Sequence, residues 1–368
     1  MIKAYRYKLE PNKKQKQLLL QTLDTCRELY NMGLEQRRGQ RIGVYEQKRQ
    51  LTLLKGEFPE YKNVHCHVLQ NVLFKLDQSF QNFFRRCKTG GKVGFPRFKG
   101  KDRYDSFQFN NTGFNLSGRY LQLSKIGNIK VRLSRELPDG AVIKTCSIKR
   151  QNGSWFVVLT FECTPVPLPA TDLAVGVDVG VTTFATFSDG TEIQNPRIYQ
   201  TAQAELRRAQ RRVARRKKGS HRRRKAVVLL QKVHQQIVNR RADFLHKHST
   251  AVIKKYGTIV VEALNVSGMS KGNLAKQILD CSWSEWFRQL SYKAEWAGRN
   301  FIAVDPKYTS QTCPSCEHVS RENRKTQSQF LCVKCGYSDN ADHNGAVNIL
   351  ARMEPLNVKI GEPIPCLV

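Results

Sequence analysis

The chain has 368 residues, and its 62 lysines and arginines outnumber its 30 aspartates and glutamates, which gives a formal net charge of +32 and a pI near 10.0. Because 40% of the residues are hydrophobic and 9% aromatic, the chain can form packed domains, and disorder throughout is excluded. At roughly 150 residues per domain the length predicts two or three domains, and so large a positive excess favours nucleic acid as the partner.

An anionic membrane surface is the competing partner for so basic a chain. It would require an amphipathic anchor or a spanning segment of about 20 apolar residues. The longest aliphatic run, residues 226–230, is far shorter, and residues 1–6 lead into charged sequence rather than into a signal-peptide core. We therefore expect no membrane segment and a cytoplasmic location.

The N-terminal part combines a short strand with helices. Residues 2–9 alternate as a strand does, and Pro11 and Asn12 begin a helix whose apolar positions recur at three- and four-residue steps. A second helical stretch, from about Leu69 to Phe84, stops before the Thr-Gly-Gly breaker at 89–91. The sequence therefore predicts a small helical unit over about residues 12–88.

From Val93 to about Cys163 the pattern changes to short strands separated by turns. The clearest turn signal is Asn152-Gly153, which lies between two alternating runs. These strands predict a β-barrel whose first strand is residues 2–9, with the helical unit inserted after it. Prolines at 165, 167 and 169 then form a stiff linker, which is the best domain boundary in the chain.

A buried-strand pattern over residues 173–187 contains the first candidate catalytic acid, Asp178. Alternation puts the valines at 175, 177 and 179 on one face and leaves Asp178 on the other, between Gly176 and Gly180. On this interpretation the bare face lets a metal ion and a phosphate backbone approach closely. The alternative, a solvent-facing strand residue, is weakened because the valines indicate a strand buried on both faces.

Residues 201–256 have the pattern of one long helix or of a helical hairpin broken near Gly219. Within 205–225 there are twelve lysines and arginines and a single acid, Glu205. A solvated helix face explains scattered charges, but a block this one-sided repels itself, so contact with phosphates is the better interpretation. The candidate nucleic-acid-binding residues of the block are Arg211, Arg212, Arg215, Arg216, Lys217 and Lys218.

Two further carboxylates lie at the ends of predicted elements. Glu262 is near the end of the apolar strand 258–264, where burial without a cation is costly, although an edge residue paired with Lys or Arg is almost as good an interpretation. Asp342 lies at the start of a short helix over about 342–353. Its alternative role is the helix N-cap, for which Asp339 competes.

Three carboxylates from two strands and a helix can bind two Mg²⁺ or Mn²⁺ ions about 4 Å apart, which activate a water and stabilise the leaving oxygen of a phosphodiester. Each acid alone is weak evidence. Their order, Asp178, Glu262 and Asp342, in a strand-rich half that ends in a helix indicates an RNase-H-like nuclease.

Four of the eleven cysteines form a metal-binding pattern. Cys313 and Cys316 form one C-x-x-C pair, and Cys332 and Cys335 form a second after fifteen intervening residues, which is the spacing of a four-thiolate zinc site without an open coordination position. The alternative is two disulfides. The seven other cysteines and the absence of a signal-peptide pattern argue against it, because disulfides are rare in a reducing compartment. The remaining cysteines show no pairing pattern, which is typical of free thiols that act as small hydrophobic residues in a reducing cytosol. They are Cys26, Cys66, Cys87, Cys146, Cys163, Cys281 and Cys366.

Several of these motifs, in this order and spacing, resemble the TnpB (OrfB) proteins of insertion sequences, which are relatives of the type V CRISPR effectors. The resemblance covers nearly the whole chain. The motifs that carry it are Tyr7–Pro11, Gly94–Phe98, Gly176-Val177-Asp178-Val179-Gly180, Val261–Asn265, Ser310–Cys316, Cys332–Gly336 and Asp342–Ala346.

This resemblance implies a multidomain α+β and α/β chain. It implies an N-terminal wedge β-barrel (1–11 and 89–168) with a helical recognition insertion (12–88). An RNase-H-like (RuvC) nuclease domain (169–308 and 338–368) would follow, with a zinc ribbon (309–337) inserted in it.

The resemblance also implies an activity, RNA-guided cleavage of double-stranded DNA beside a short target-adjacent motif. Asp178, Glu262 and Asp342 would then bind Mg²⁺ or Mn²⁺, and the four cysteines structural zinc. The partners would be a guide RNA made from the end of the element, target DNA and a transposase of the same element. Residues that match readers of the target-adjacent motif are Gln70, Asn71, Asn110 and Asn111, since such amides can contact adenine edges bidentately.

Two details of the motifs remain open to other interpretations. Many relatives have Asp-x-Asp-x-Asn where this chain has Asn340 two residues before Asp342, so we take Asp342 as the ligand and Asp339 as the cap. Some relatives have lost catalytic acids and serve as RNA-guided repressors. All three acids are present here, which favours a nuclease over a repressor, an accessory regulator of transposition or a transposase that joins DNA ends.

Overall fold

The structure is a computed structural model, which describes residues 1–101, 103–326 and 328–353. Cys366 and the end of the predicted nuclease segment, residues 354–368, lie outside the described residues. The chain divides into two compact units, Met1–Thr164 and the part from Pro165 onward. Among the described residues, no helix combines the length and the apolar character that crossing a bilayer requires.

The first unit is built on a seven-stranded antiparallel sheet. In chain order the strands are β1 (Ile2–Glu10), β2 (Ser106–Asn110), β3 (Phe114–Ser117), β4 (Tyr120–Leu123), β5 (Gly127–Arg132), β6 (Val142–Gln151) and β7 (Ser154–Glu162). They pair in the order β2-β6-β7-β1-β5-β4-β3. The short strands β2 and β3 are the two edges and do not pair with each other in the described part of the chain. The sheet is therefore a half-barrel, and the predicted β-barrel is confirmed only in this coarser form.

The predicted hairpin at Asn152-Gly153 is confirmed. Gln151 of β6 is paired with Ser154 of β7, so the loop has two residues. Asn152 and Gly153 both have positive φ, 50° and 80°, as a two-residue hairpin turn of this kind requires.

Three helices cover this sheet and share its core. They are α1 (Lys13–Gly39), α2 (Val44–Glu57) and α3 (Cys66–Lys88), with a 3₁₀ turn at Pro59–Asn63. Asn12 caps α1, because its side chain accepts from Gln15 N at 2.9 Å while the Gln15 side chain accepts from Asn12 N at 3.0 Å. Such a cap contributes about 1 kcal/mol. The sequence predicted α1 and α3, but not α2.

The second unit contains a five-stranded mixed sheet. Its strands are β8 (Ala174–Asp178), β9 (Thr183–Phe187), β10 (Glu192–Gln194), β11 (Thr258–Glu262) and β12 (Asn300–Val304), in the order β10-β9-β8-β11-β12. Strands β8, β11 and β12 run parallel, whereas β9 and β10 are antiparallel to their neighbours. The single strand predicted over 173–187 is wrong, because the chain reverses at 179–182 and β9 returns beside β8.

Helices cover both faces of this sheet. The helices are α4 (Ile198–Ala214), α5 (His221–Lys255), α6 (Val266–Met269), α7 (Ala275–Cys281), α8 (Trp283–Ala297) and α9 (Ala341–Ala351). Helices α5 and α8 pack on the face that carries Val175 and Val177, and α9 packs on the other. The hairpin form of 201–256 is correct: Gly219, at φ 84°, reverses the chain and Ser220 caps α5.

A small two-stranded hairpin precedes α9. Its strands are β13 (Gln329–Leu331) and β14 (Ser338–Asn340), which pair antiparallel after a 3₁₀ turn at Arg321–Asn323. Because β14 ends at Asn340 and α9 begins at Ala341, the hairpin and the helix are joined without a linker.

Candidate functional site

Asp178 and Glu262 lie at the carboxyl ends of two adjacent parallel strands. Val177 of β8 is opposite Val261 of β11, so the acids that follow these valines are level with each other. Val175 and Val177 point into the core against α5 and α8. By the two-residue alternation of strands, Asp178 and Glu262 therefore face the side that α9 covers.

Helix α9 approaches this face closely because β8 has a glycine there. A Cβ on Gly176 would lie 2.1 Å from the carbonyl oxygen of Ala346 and 2.6 Å from Leu350 N, both in α9. The interpretation of Gly176 as a surface left bare for metal and phosphate is therefore wrong. The missing side chain makes room for the helix that carries Asp342.

Gly345 has the matching role on the helix. A Cβ on Gly345 would lie 3.0 Å from Asp178 Oδ2. The two glycines thus allow α9 and β8 to approach until the first turn of the helix, with Asp342, lies beside the Asp178 carboxylate.

The N-cap of α9 is Asn340, and the prediction of Asp339 is wrong. The Asn340 side chain accepts from Asp342 N at 2.8 Å and from His343 N at 3.3 Å, since Asn340 is the residue directly before the first helical turn. Asp339 Oδ2 instead lies 2.7 Å from His343 Nδ1 and accepts from the Tyr337 hydroxyl. The side chain of Asp342 is therefore not used as a cap, and Arg324 Nη2 lies 3.4 Å from its Oδ1.

The three carboxylates influence one another. Burial raises the pKa of Asp178 to about 8, and the charges of Glu262 and Asp342 add to that rise. Burial also raises the pKa of Glu262, although the hydrogen bond from the Thr309 hydroxyl lowers it. Burial raises the pKa of Asp342 as well, although the charge of Arg324 lowers it. Buried like charges destabilise the ionised forms, and a bound cation would relieve this cost.

This donor set fits a hard divalent cation. Carboxylate oxygens are the ligands that Mg²⁺ and Mn²⁺ favour, and two parallel strands and a helix supply three such groups here. The oxygens of the three carboxylates do not all lie within 4.8 Å of one another. In the described part of the chain, the four cysteines are the group of potential metal ligands whose ligand atoms are that close. The three carboxylates are thus electrostatically coupled but more widely spaced than the sulfurs.

Thr309, which the sequence did not single out, holds Glu262. Its side chain is buried, and its Oγ1 donates to Glu262 Oε1 at 2.5 Å. The Asn348 amide of α9 donates to the carbonyl oxygens of Thr309 at 2.8 Å and Thr312 at 2.7 Å. The helix that carries Asp342 therefore also fixes the turn that orients Glu262. The periodicity of the sequence does not predict such a contact. The sequence shows only that a hydroxyl residue lies between the end of a strand and the first cysteine pair.

The four predicted zinc ligands converge. Cys313 Sγ lies 3.6 Å from Cys335 Sγ, and Cys316 Sγ lies 3.6 Å from Cys332 Sγ. A tetrahedral zinc ion with Zn–S bonds of about 2.3 Å separates its sulfurs by about 3.8 Å, whereas a disulfide requires about 2.05 Å. The arrangement fits a four-thiolate zinc ion and does not fit two disulfides.

Backbone contacts favour the thiolate form of Cys332. Burial alone would raise the pKa of Cys332, but the backbone N–H groups of Cys335 and Lys334, together with the neighbouring thiols, lower it to about 6. The buried Asn323 joins the two knuckles, since it donates to Gln311 O and His318 O and accepts from Val333 N. The module is thus organised around its four sulfurs.

The predicted motif-reading amides lie in the first unit. Gln70 and Asn71 are on α3, one turn after His67, whose Nδ1 lies 3.0 Å from Asn110 O. Asn110 ends β2, and Asn111 follows it in the left-handed region at φ 58°. The structure therefore brings the start of α3 and the end of β2 together.

The predicted basic residues lie in the second unit, at the tip of the α4–α5 hairpin. Arg211 and Arg212 are in the last turn of α4, and Arg215 is its C-cap. Residues 216–218 form the connection to α5.

Three family models match parts of the chain. OrfB_IS605, described as a probable transposase, matches residues 156–273; the Cas12f1-like TNB domain matches 283–349; and HTH_OrfB_IS605, a helix-turn-helix domain, matches 1–41. In this structure residues 1–41 form β1 and α1, which is one strand and one helix.

Similar proteins cover nearly the full length of the chain. A protein of Escherichia coli (strain K12) named as an RNA-guided DNA endonuclease, InsQ, is 33% identical over 95% of this chain and 92% of its own length. A protein of Streptomyces pristinaespiralis with the same kind of name is 34% identical over 95% and 89%. Among solved structures, Cas12f1 in a complex with sgRNA and target DNA has a TM-score of 0.58 at 14% identity, covering 92% of this chain and 83% of that one. That likeness concerns the fold.

Proposed function

The chain belongs to the TnpB (OrfB) family, and from this premise we propose that it is an RNA-guided DNA endonuclease of a transposable element, which hydrolyses phosphodiester bonds of double-stranded DNA beside a short target-adjacent motif. The observation that carries the proposal is the cluster of Asp178, Glu262 and Asp342, in which burial and like charge raise the pKa of Asp178 to about 8.

The roles of the residues follow from their positions. Asp178, Glu262 and Asp342 would hold one or two Mg²⁺ or Mn²⁺ ions, Thr309 fixes the carboxylate of Glu262, and Arg324 offsets part of the charge of Asp342. When bound, such ions activate a water and stabilise the leaving oxygen of a phosphodiester. The four cysteines would hold structural zinc next to α9.

The architecture supports the same proposal. The five-stranded sheet, with acids at the carboxyl ends of β8 and β11 and α9 on the same face, supports an RNase-H-like (RuvC) domain over 169–308 and 338–368, interrupted by the zinc ribbon at 309–337. The half-barrel sheet would be the wedge domain (1–11 and 89–168), and α1 to α3 the recognition insertion (12–88).

The proposed partners are a guide RNA and target DNA, with a transposase of the same element as a further one. Gln70, Asn71, Asn110 and Asn111 would read the target-adjacent motif, and the basic block at 211–218 would contact phosphates.

Sequencing the RNA that co-purifies with the protein tests the guide proposal. We expect one dominant transcript whose end continues into sequence outside the element. Random cellular RNA would contradict a guide. A defined guide bound to a protein that never cuts DNA would favour the alternative, a non-cleaving repressor or regulator of transposition.

Thr309→Val should raise the Mg²⁺ concentration for half-maximal cutting about tenfold or more, because a hydrogen bond to a charged group contributes about 1.5 to 3 kcal/mol. Thr309→Ser keeps the hydroxyl and should stay near wild type. A Mg²⁺ titration of plasmid cutting, with DNA binding measured in parallel, separates orientation of Glu262 from misfolding. The role of the hydroxyl would be contradicted if Thr309→Val required no more Mg²⁺ than wild type. It would also be contradicted if Thr309→Val and Thr309→Ser required equally raised Mg²⁺ concentrations.

A further inference from the structure

The cations of the basic block differ in what they contact. Arg223 Nη1 donates to the carbonyl oxygens of Val213 at 2.9 Å and Arg216 at 3.1 Å, and Arg224 Nη2 donates to Gly219 O at 3.4 Å. Cations at the C-terminal end of a helix stabilise its free carbonyl groups in this way. Arg223 and Arg224 therefore serve the turn between α4 and α5, although the sequence does not distinguish them from their neighbours.

Five other cations line one open cavity of about 600 Å³ beside the hairpin. They are Arg212, Arg216, Arg222, Lys225 and Lys232. No carboxylate lines the cavity, and among the residues that the structure describes none of the five forms an ion pair with an acid. Such a concentration of like charge is unfavourable in the free protein and is relieved by a polyanion.

The rest of the cavity lining is apolar and partly exposed. Val228 is 44% exposed and Leu229 is 40% exposed, whereas Ala226 is buried. Residues 222–232 of α5 span about 15 Å at 1.5 Å per residue, which is long enough to follow several phosphates. Cations and partly exposed apolar side chains in one lining together match a nucleotide chain whose bases or riboses are not hidden in a duplex.

We propose that this cavity binds an unpaired segment of the guide RNA. The five cations hold successive phosphates, and Val228 and Leu229 contact a base or a ribose. The assignment rests on the proposed function for the identity of the RNA, whereas the cavity itself rests on the geometry of α4 and α5.

Two triple variants with the same change in charge test the proposal. The cavity variant carries Arg212→Gln, Arg222→Gln and Lys225→Gln. The control variant carries Arg240→Gln, Lys254→Gln and Lys271→Gln, which remove three exposed cations of the same unit that lie outside the basic block and outside the cavity lining. Both should fold, because none of the six side chains is among those that close the turn.

Each full-length variant is titrated with the transcript that co-purifies with wild type, and with polyuridylate, over a range of salt concentrations. For the cavity variant we expect the slope of log K against log[salt] to fall by about 2, since each lost phosphate contact removes about 0.7. We expect its affinity at low salt to fall at least about tenfold, and the control variant to change far less.

Equal losses in the two variants would overturn the proposal, since diffuse charge would then account for binding. Unchanged RNA binding with weakened binding of single-stranded target DNA would also overturn it, because the occupant would be DNA. If no guide RNA co-purifies with wild type, the proposed function fails, but polyuridylate still tests the cavity.

Discussion

Cys332→Ser should lose bound zinc and DNA cutting together, while RNA binding by the rest of the protein persists. Cys332 supplies one of four sulfurs that lie within 4.8 Å of one another. Structural zinc contributes about 10 kcal/mol or more to the folding of small zinc modules. Loss of the ion should therefore unfold the module between Cys313 and Asn340, which leads directly into α9.

The loss of cutting follows from the connection between the module and the carboxylates. Strand β14 runs without a linker into α9, and α9 carries Asp342. Helix α9 also carries Asn348, whose amide donates to the carbonyl oxygen of Thr309, and the Thr309 hydroxyl donates to Glu262. Two of the three acids should therefore lose their positions when the zinc module unfolds.

Cys87→Ser is the matched control, because Cys87 is an exposed free thiol outside the cluster. Zinc released by a thiol reagent and measured with a chelating dye gives the metal content, and plasmid cutting gives the activity. A zinc-free Cys332→Ser protein that cuts at the wild-type rate would contradict the proposed dependence of the acidic site on the module.

Asp178→Asn should lower the cutting rate at least about a thousandfold, because stabilisation by metal ions of several kcal/mol is lost and each 1.36 kcal/mol is tenfold in rate. The amide has the size of the carboxylate, so the close packing of Gly345 against Asp178 is preserved. Binding of guide RNA and of target DNA should therefore remain. The affinity of the site for Mn²⁺, measured by calorimetry, should fall.

Asp172→Asn provides the control for charge, since Asp172 is an exposed acid six residues earlier in the chain. That variant should cut as wild type does. Undiminished cutting by Asp178→Asn would remove Asp178 from the catalytic site, whereas loss of both cutting and folding would show that its role is structural.

The candidate acids could be predicted because strand alternation is a local property. The alternation of valines around Asp178 predicted that the acid lies on the opposite face of its strand, and the register of β8 and β11 makes Asp178 and Glu262 level. That β8 ends at Asp178 was not predicted. The spacing of the four cysteines was sufficient to predict that their sulfurs converge, since the geometry of a C-x-x-C knuckle is local as well.

What the sequence could not predict depends on contacts between distant elements. Gly176 was interpreted as open space for a ligand, but its partner is the Ala346 carbonyl, 170 residues later. The hydroxyl of Thr309 contacts Glu262, 47 residues earlier. Helix α2 was missed because it buries only Val44, Gln47 and Leu51, which make a weak apolar stripe.

Cutting of plasmid DNA by the purified ribonucleoprotein tests the central claim most directly. The substrate carries a sequence matched to the co-purified RNA, beside a library of flanking motifs, and a scrambled sequence is the control. With Mg²⁺ we predict that the wild-type complex linearises the matched plasmid beside a restricted set of motifs, and that EDTA or Asp178→Asn prevents it. An intact matched plasmid, or equal cutting of the scrambled one, would contradict an RNA-guided nuclease.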